Sequence, residues 1–385
     1  MVELSRRMGS AAAQRPDNIS GDQVRPVKIV DLFAGPGGVD VAAETLGVAT
    51  VGVEWDPDAC ATRRAAGLPT EEGDVTEFGP DRFPEADVLA GGPPCQTFTV
   101  AGSGAGREAL DDVLHFVRRM VARDPAGEIK ADLAKLNDAR TGLVLEPLRW
   151  ILGAIDGPQK AYEAVVLEQV PAVLPVWEAY ARALRNEGYS VDYGIMQAEA
   201  YGVPQTRRRA VLIARRGEHD IAIPKPTHRT YRKGVPRSAG NPALTPWRTM
   251  ADVLRRNMAF EVISNYGTGG DPKTRGRRSS SQPAATVTGK IFRNRVVSPE
   301  GAELPRFSYS EAGRLQTFPA NYPWAGRDVG QQIGNAVPPR LAMHALCAAF
   351  GWESPGEKTL EKLDHWSPPE PEPEQTLRVK DLIRA

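Results

Sequence analysis

Apolar and polar positions repeat in a regular unit from residue 27 onward. Val27-Lys28-Ile29-Val30-Asp31-Leu32-Phe33 reads as a buried strand, Gly35 to Gly38 as a turn and Val39 to Leu46 as a short helix. The alternation continues with strand Ala49 to Glu54, helix Pro57 to Ala66, strand Ala86 to Ala90 and helix Val144 to Ile155. Strand Ala164 to Glu168, helix Pro175 to Glu187 and a strand pair, Ser190 to Ala198 and Ala210 to Arg215, complete it. This pattern predicts an α/β fold: a mostly parallel, Rossmann-like sheet with helices on both faces and its chemistry on loops at the carboxyl ends of strands.

Residues 217–282 break the pattern. They are rich in Pro, Gly, Arg and Ser, and only Trp247 to Asn257 is patterned as a helix. Apolar patterning returns from Ala284 to Ile291, and Arg340 to Phe350 reads as a helix that packs back on the first unit. The division expected is a flexible arm over 1–25, a catalytic and cofactor-binding domain over 26–216, and a smaller irregular domain over 217–282. The chain then returns to the catalytic domain over 283–352 and ends in a disordered tail over 353–385, where Pro and Glu alternate. Residues 103–140 read as a charged insertion, either a mobile lid hinged at Gly102, Gly104 and Gly106 or a surface decoration, with no catalytic role.

Composition adds bounds. With 385 residues, 41% apolar and 25% charged, the chain is an ordinary globular one with room for a large and a small domain. No apolar run is long enough to span a bilayer and Met1 to Val24 lacks a secretory core, so a cytoplasmic protein without a membrane partner is expected, and a monomer. Three cysteines at 60, 95 and 347 do not make a disulfide framework, and the five histidines form no ligand-spaced pair with them, so no metal is expected. Cys60 and Cys347 read as core thiols. The net charge is zero, yet residues 201–300 hold 20 Lys and Arg against 6 Asp and Glu. That asymmetry points to one polyanion-facing segment on an acidic body.

Two stretches carry candidate chemistry. Phe33-Ala34-Gly35-Pro36-Gly37-Gly38 places glycines where backbone approaches a ligand, and Glu54 ends the next strand about 20 residues on, where a ribose-binding acid belongs. Position 40 is Asp40, so the dinucleotide fingerprint is absent, and there is no P-loop lysine. A cofactor with a ribose and no pyrophosphate fits, and S-adenosyl-L-methionine is one. Its sulfonium favours neighbours such as Asp31, Phe33 and Trp55, and Asp74, followed by Val75, comes at the end of a third strand in reach of an adenine. In the second stretch, a strand leads directly into Gly91-Gly92-Pro93-Pro94-Cys95-Gln96-Thr97-Phe98-Thr99, putting the Cys95 thiol on a strand-end loop where it can react. The strand from Ala164 brings Glu168 to the same edge.

With Leu89 to Gln96 and Glu168 joined, the chain resembles the cytosine-C5 DNA methyltransferase family of prokaryotic or phage type. The resemblance extends through Gln197 to Arg209, Leu315-Gln316-Thr317-Phe318-Pro319 and Gln332-Ile333-Gly334-Asn335-Ala336-Val337-Pro338-Pro339. These matches occur in the family's order and cover residues 28–350 apart from the variable segment between Arg216 and Gln282.

The resemblance implies a methyl donor fold with a target-recognition domain, acting on double-stranded DNA. Cytosine C5 is a poor nucleophile until a thiolate adds at C6. Cys95 would be that thiolate, and Glu168, its pKa raised by burial, would donate at N3. Arg207 and Arg209, spaced by two on an extended segment, would both reach the base and the Cys95 loop. Pro94, Gln96 and Thr99 would shape that loop, Pro94 toward the cofactor, Gln96 among the reacting groups and Thr99 toward DNA, while Asn335 and Ala336 close the cofactor pocket. The target base must be flipped out, and Arg229, Arg232, Lys233, Arg275, Arg277 and Arg278 would hold DNA through phosphates or bases.

Two departures from the family pattern stand out: Glu168-Gln169-Val170 where the family has Glu-Asn-Val, and Thr99 where it has Ser. The other readings are an RNA (tRNA) cytosine-C5 methyltransferase on the same fold and a catalytically silent DNA-binding relative. A restriction-modification enzyme with a cognate restriction endonuclease and an orphan or phage-protective enzyme fit the sequence equally.

Overall fold

The structure is a computed structural model that describes residues 27–94, 104–136, 139–264 and 275–368. The expected arm over 1–25 and the end of the expected tail, with Cys95, Gln96 and Thr99, lie outside the described residues.

In chain order, β1 (Lys28–Leu32), α1 (Gly38–Thr45), β2 (Ala49–Glu54), α2 (Pro57–Ala65), β3 (Thr70–Glu72) and β4 (Val88–Gly91) come first. They are followed by α3 (Gly104–Val121), α4 (Ala126–Leu133), α5 (Glu146–Asp156), β5 (Ala164–Gln169), α6 (Leu174–Asn186), β6 (Tyr189–Gln197), β7 (Gln205–Thr206) and β8 (Arg208–Arg216). One seven-stranded sheet has the order β3-β2-β1-β4-β5-β8-β6. Strands β1 to β5 are parallel, and β8 runs antiparallel between β5 and β6.

Both faces of the sheet are covered, which is why its strands read as apolar runs. In β5, Ala164 and Val166 face one core while Val165 and Leu167 face the other; in β8, Val211 and Ile213 oppose Ala210, Leu212 and Ala214. One face carries α3, α5 and α6. The other carries α1 and two late helices, α10 (Pro339–Phe350) and α11 (Glu357–Asp364). Among the described residues, no helix is long and apolar enough to cross a membrane.

A second core forms around a four-stranded antiparallel sheet. After β8 the chain forms α7 (Met250–Leu254), β9 (Glu261–Ile263), β10 (Arg277–Ser279), β11 (Ala284–Ala285), β12 (Arg295–Val297), β13 (Glu303–Leu304), α8 (Tyr309–Leu315) and α9 (Val329–Asn335). The small sheet has the order β10-β9-β12-β13. Its core takes Val253 and Phe260 from before residue 282 and Val296, Leu315 and Ile333 from after it, so the second core draws on both sides of the 282 boundary.

Three expectations are corrected. Residues 103–140 are neither lid nor decoration where described: α3 sets Val113, Phe116, Val117 and Met120 into the main core against α6. The ordered chain runs past 353, because Leu360 and Leu363 of α11 are buried and the Trp366 indole donates to Glu44 Oε2 at 2.9 Å. The helix read over Trp247 to Asn257 is five residues long, opened by a Thr249/Asp252 capping box and closed by Arg255 in the left-handed region at φ 51°.

Candidate active site

The carboxyl ends of β1 and β2 build a tight turn. Phe33 takes a left-handed conformation (φ 60°), and the Gly35 N–H donates to Glu54 Oε2 at 2.7 Å. Glu54 Oε1 accepts from the N–H groups of Trp55 (2.9 Å) and Asp56 (2.8 Å). Burial raises the Glu54 carboxyl above its usual range against the pull of these donors. Three of about four acceptor sites are thus used within the turn, leaving one on Oε2 for a hydroxyl.

The three glycines of the turn differ in purpose. A Cβ at Gly35 would meet nothing within 4 Å, one at Gly37 would lie 2.2 Å from Leu68 Cδ1, and one at Gly38 would lie 2.0 Å from the Val337 carbonyl. Of the three, Gly35 opens onto free space, while the missing side chains of Gly37 and Gly38 let Leu68 and the returning chain close in. Ala34 is buried, its N–H on the Val53 carbonyl at 3.2 Å. Asp31 is buried, and burial followed by the neighbouring Asp40 charge holds its carboxyl well above the usual range. Trp55 is 66% exposed, an apolar face beside the open turn.

Asp74 folds back on its own chain, accepting from the Thr76 N–H at 2.9 Å, and the Val75 side chain lies in the main core. Asn335 is exposed at the end of α9 and accepts from Gln331 Nε2 at 2.8 Å. Ala336 is buried.

At the exit of β4, Gly92, Pro93 and Pro94 lead toward Cys95. Gln169 Nε2 donates to the Pro93 carbonyl, and Gln169 Oε1 accepts from the Val170 N–H. The Gln169 amide therefore ties the end of β5 to the segment that leads to Cys95. Glu168 stands beside it: a Cβ on Gly92 would be 3.9 Å from Glu168 Oε2. Because β5 and β8 are antiparallel, with Glu168 opposite Val211, the start of β8 brings Arg209 to the end of β5. Arg209 Nε lies 2.9 Å from Glu168 Oε1, and both side chains are largely sheltered. The Glu168 carboxyl thus faces the Arg209 guanidinium at the end of β5.

Arg207 is held by the returning chain. It falls between β7 and β8 and is 1% exposed. Its Nη1 donates to the carbonyls of Val287 (3.1 Å) and Gly334 (3.2 Å), and its Nη2 to Gly334 and Ala336 (both 3.2 Å). Gln205 does similar work, donating to the Leu315 carbonyl (2.8 Å) and Gln316 Oε1 (2.7 Å) while accepting from the Val287 N–H (3.0 Å). Sequence spacing gave no sign that these groups tie the returning chain to the sheet.

The basic segment divides in the same way. Arg229 is an internal brace, donating to the carbonyls of Asn241, Leu244, Arg237 and Ala239 at 2.9–3.2 Å. Arg277 pairs with Glu261 at 2.6 Å and Arg278 lies over the Tyr231 ring, 4.8 Å from its centroid. Arg232 and Lys233 are exposed; Arg275 is half-buried. Cys60 and Cys347 are buried, and burial pushes both thiols up to about 11, as inert core residues should be. The buried pair Arg63 and Asp40 beneath the turn was missed, although a charged residue at position 40 in place of the fingerprint glycine was a visible oddity.

Comparison with known proteins agrees with this geometry. A family model described as C-5 cytosine-specific DNA methylase matches residues 27–125 and 163–349. The type II methyltransferase M.AquIA of Picosynechococcus is 28% identical over 242 residues, 59% of this chain and 87% of its own. M1.HphI of Haemophilus parahaemolyticus is 27% identical over 355 residues, 81% and 84% of the two chains. Among solved structures, a putative DNA modification methyltransferase from an Escherichia coli prophage superposes with a TM-score of 0.53 at 17% identity, covering 84% of this chain and 99% of its own. Dnmt2 of Schizosaccharomyces pombe gives 0.55 at 16%, covering 84% and 97%. These two carry the fold alone, but the family model spans most of the sequence, and the chain belongs to the C-5 cytosine-specific DNA methylase family.

Proposed function

We propose that this chain transfers a methyl group from S-adenosyl-L-methionine to C5 of a flipped-out cytosine in duplex DNA, through a covalent bond between Cys95 and C6. The observation that carries the reading is the Glu168–Arg209 pair at 2.9 Å, standing beside a Pro93 carbonyl held by Gln169, two residues before Cys95. The residues present fit the cofactor: open space over Gly35, one remaining acceptor site on Glu54, the exposed Trp55 face and the buried Asp31 carboxyl. When bound, S-adenosyl-L-methionine supplies an electrophilic methyl group.

The chain's own groups prepare the base. Bond formation between the Cys95 sulfur and C6 pushes electron density onto C5 and toward N3, where Glu168 in its acid form donates a proton. Arg209 then faces the pyrimidine O2 as well as the carboxylate left behind. Loss of the C5 proton to water, return of the N3 proton to Glu168 and departure of the thiolate restore the aromatic ring. Arg232, Lys233 and Arg275 are the basic groups best disposed to meet phosphates. The names of the type II relatives support a restriction-modification role, with a cognate endonuclease as functional partner.

The test is transfer from labelled S-adenosyl-L-methionine to duplex DNA and to transfer RNA, with the modified cytosines mapped. Label in DNA at C5 is expected; label in transfer RNA alone would replace this reading with the RNA enzyme. Duplexes carrying 5-fluorocytosine should trap the wild type covalently and leave Cys95→Ala untrapped, and equal trapping of both would exclude the covalent route.

A further inference from the structure

Under the glycine turn, Arg63 of α2 is fully buried. Its guanidinium donates from Nη1 to Asp40 Oδ2 (2.8 Å), from Nη2 to Asp40 Oδ1 (2.9 Å) and the Pro69 carbonyl (3.0 Å), and from Nε to Thr70 Oγ1 (2.8 Å). Asp40, in the first turn of α1 and equally buried, also accepts from Thr50 Oγ1 of β2 at 2.9 Å. One planar group therefore joins α1, α2, β2 and the entry to β3.

The surrounding backbone is cut to receive it. A Cβ at Gly52, in the middle of β2, would lie 2.1 Å from Arg63 Nη2, 2.4 Å from its Cζ and 2.6 Å from Ala34 Cβ. The guanidinium thus lies flat where a strand side chain would otherwise stand, with the turn resting against the same spot. From the other side the Tyr322 hydroxyl donates to the Pro36 carbonyl, so the turn is held from below and above.

A buried ion pair is a weak source of stability, because an apolar pair of the same volume avoids the desolvation of two charges. What a bidentate fork adds is direction: both bonds are made only in one relative placement of α1 and α2. The elements it joins are those that present Gly35, Glu54, Trp55 and Asp74.

We propose that Arg63 and Asp40 are positioning residues for the cofactor, fixing the turn in its binding form without touching the ligand. This rests on the reading of the turn as the S-adenosyl-L-methionine site. Pre-organisation of this kind lowers the ordering cost of binding.

The test uses the full chain and a paired variant that leaves no lone charge, Asp40→Asn with Arg63→Gln, together with Arg63→Lys, which keeps the charge and loses the fork. S-adenosyl-L-methionine binding is measured by calorimetry, and KM for cofactor, KM for DNA and kcat are measured well below the thermal midpoint of each protein. Both variants should raise the cofactor Kd and KM about tenfold, with kcat at saturating cofactor and KM for DNA within about twofold of wild type. If the paired variant does not fold, Arg63→Lys gives the same split. A folded variant with unchanged cofactor affinity, or one that loses kcat at unchanged cofactor KM, overturns the role. A wild type that fails to bind S-adenosyl-L-methionine in the same titration strikes the cofactor reading instead, so the two failures are distinct.

Discussion

The side-chain amide of Gln169 donates to the main-chain carbonyl of Pro93, across from β5 to the segment that precedes Cys95. The proposed acid, Glu168, and the residue that holds the segment before Cys95, Gln169, are therefore neighbours on one strand. Gln169→Glu keeps the size and the acceptor but removes the donor. It should slow covalent trapping by a 5-fluorocytosine duplex by about 100-fold, the scale of a misplacement of one ångström, with little change in DNA affinity. Wild-type trapping rates in this variant would show that the brace is idle.

Arg207 makes four hydrogen bonds to three buried carbonyls. Arg207→Met leaves those acceptors unmatched, and the expected loss is about 3 kcal/mol of folding free energy, read as a lower urea midpoint at unchanged slope. If stability were untouched and only turnover fell, Arg207 would return to the reacting groups.

His344 of α10 is fully buried and His228 nearly so. Burial, then the charges of His228 and Arg340, push His344 down to about 3; burial, then Arg340, Arg248 and Arg237, push His228 down to about 4. Both are neutral in the folded protein while the unfolded chain takes up protons below about 6.5. The unfolded state then binds more protons, so stability is unaffected above pH 6.5 and falls as pH drops from there toward 4. The slope is about 1.4 kcal/mol per pH unit for each histidine. His344→Leu should lose its share of that slope in denaturation midpoints taken at pH 7, 6 and 5; parallel curves for the two proteins would refute it.

Much of the main sheet could be read in advance because buried parallel strands are apolar throughout and their bounding turns carry Gly or Pro. The ends of β2 and the start of β5 fall where the pattern put them. The opening glycines of α3 read as a loop, whereas Leu110, Val113, Val117 and Met120 recur at helical spacing and carry the helix into the core. Charge counting succeeded in locating a basic segment but cannot separate an arginine such as Arg229, which closes loops on carbonyls, from Arg232, which faces solvent. The bonds of Arg207 to Val287, Gly334 and Ala336 are long-range and leave no mark on the local spacing. Glu168 and Arg209 were both expected at the site, but their pairing depends on β8 running antiparallel to β5, which local pattern does not specify.

Gly52 and Arg63 also constrain how this sequence can drift. Any side chain at position 52 would displace the guanidinium, and any uncharged residue at 63 would strand Asp40 without its counter-charge. Neither position can change alone without crossing a state worse than both ends, so the two are expected to be inherited together, and a lineage that loses one should be found to have rebuilt all three residues.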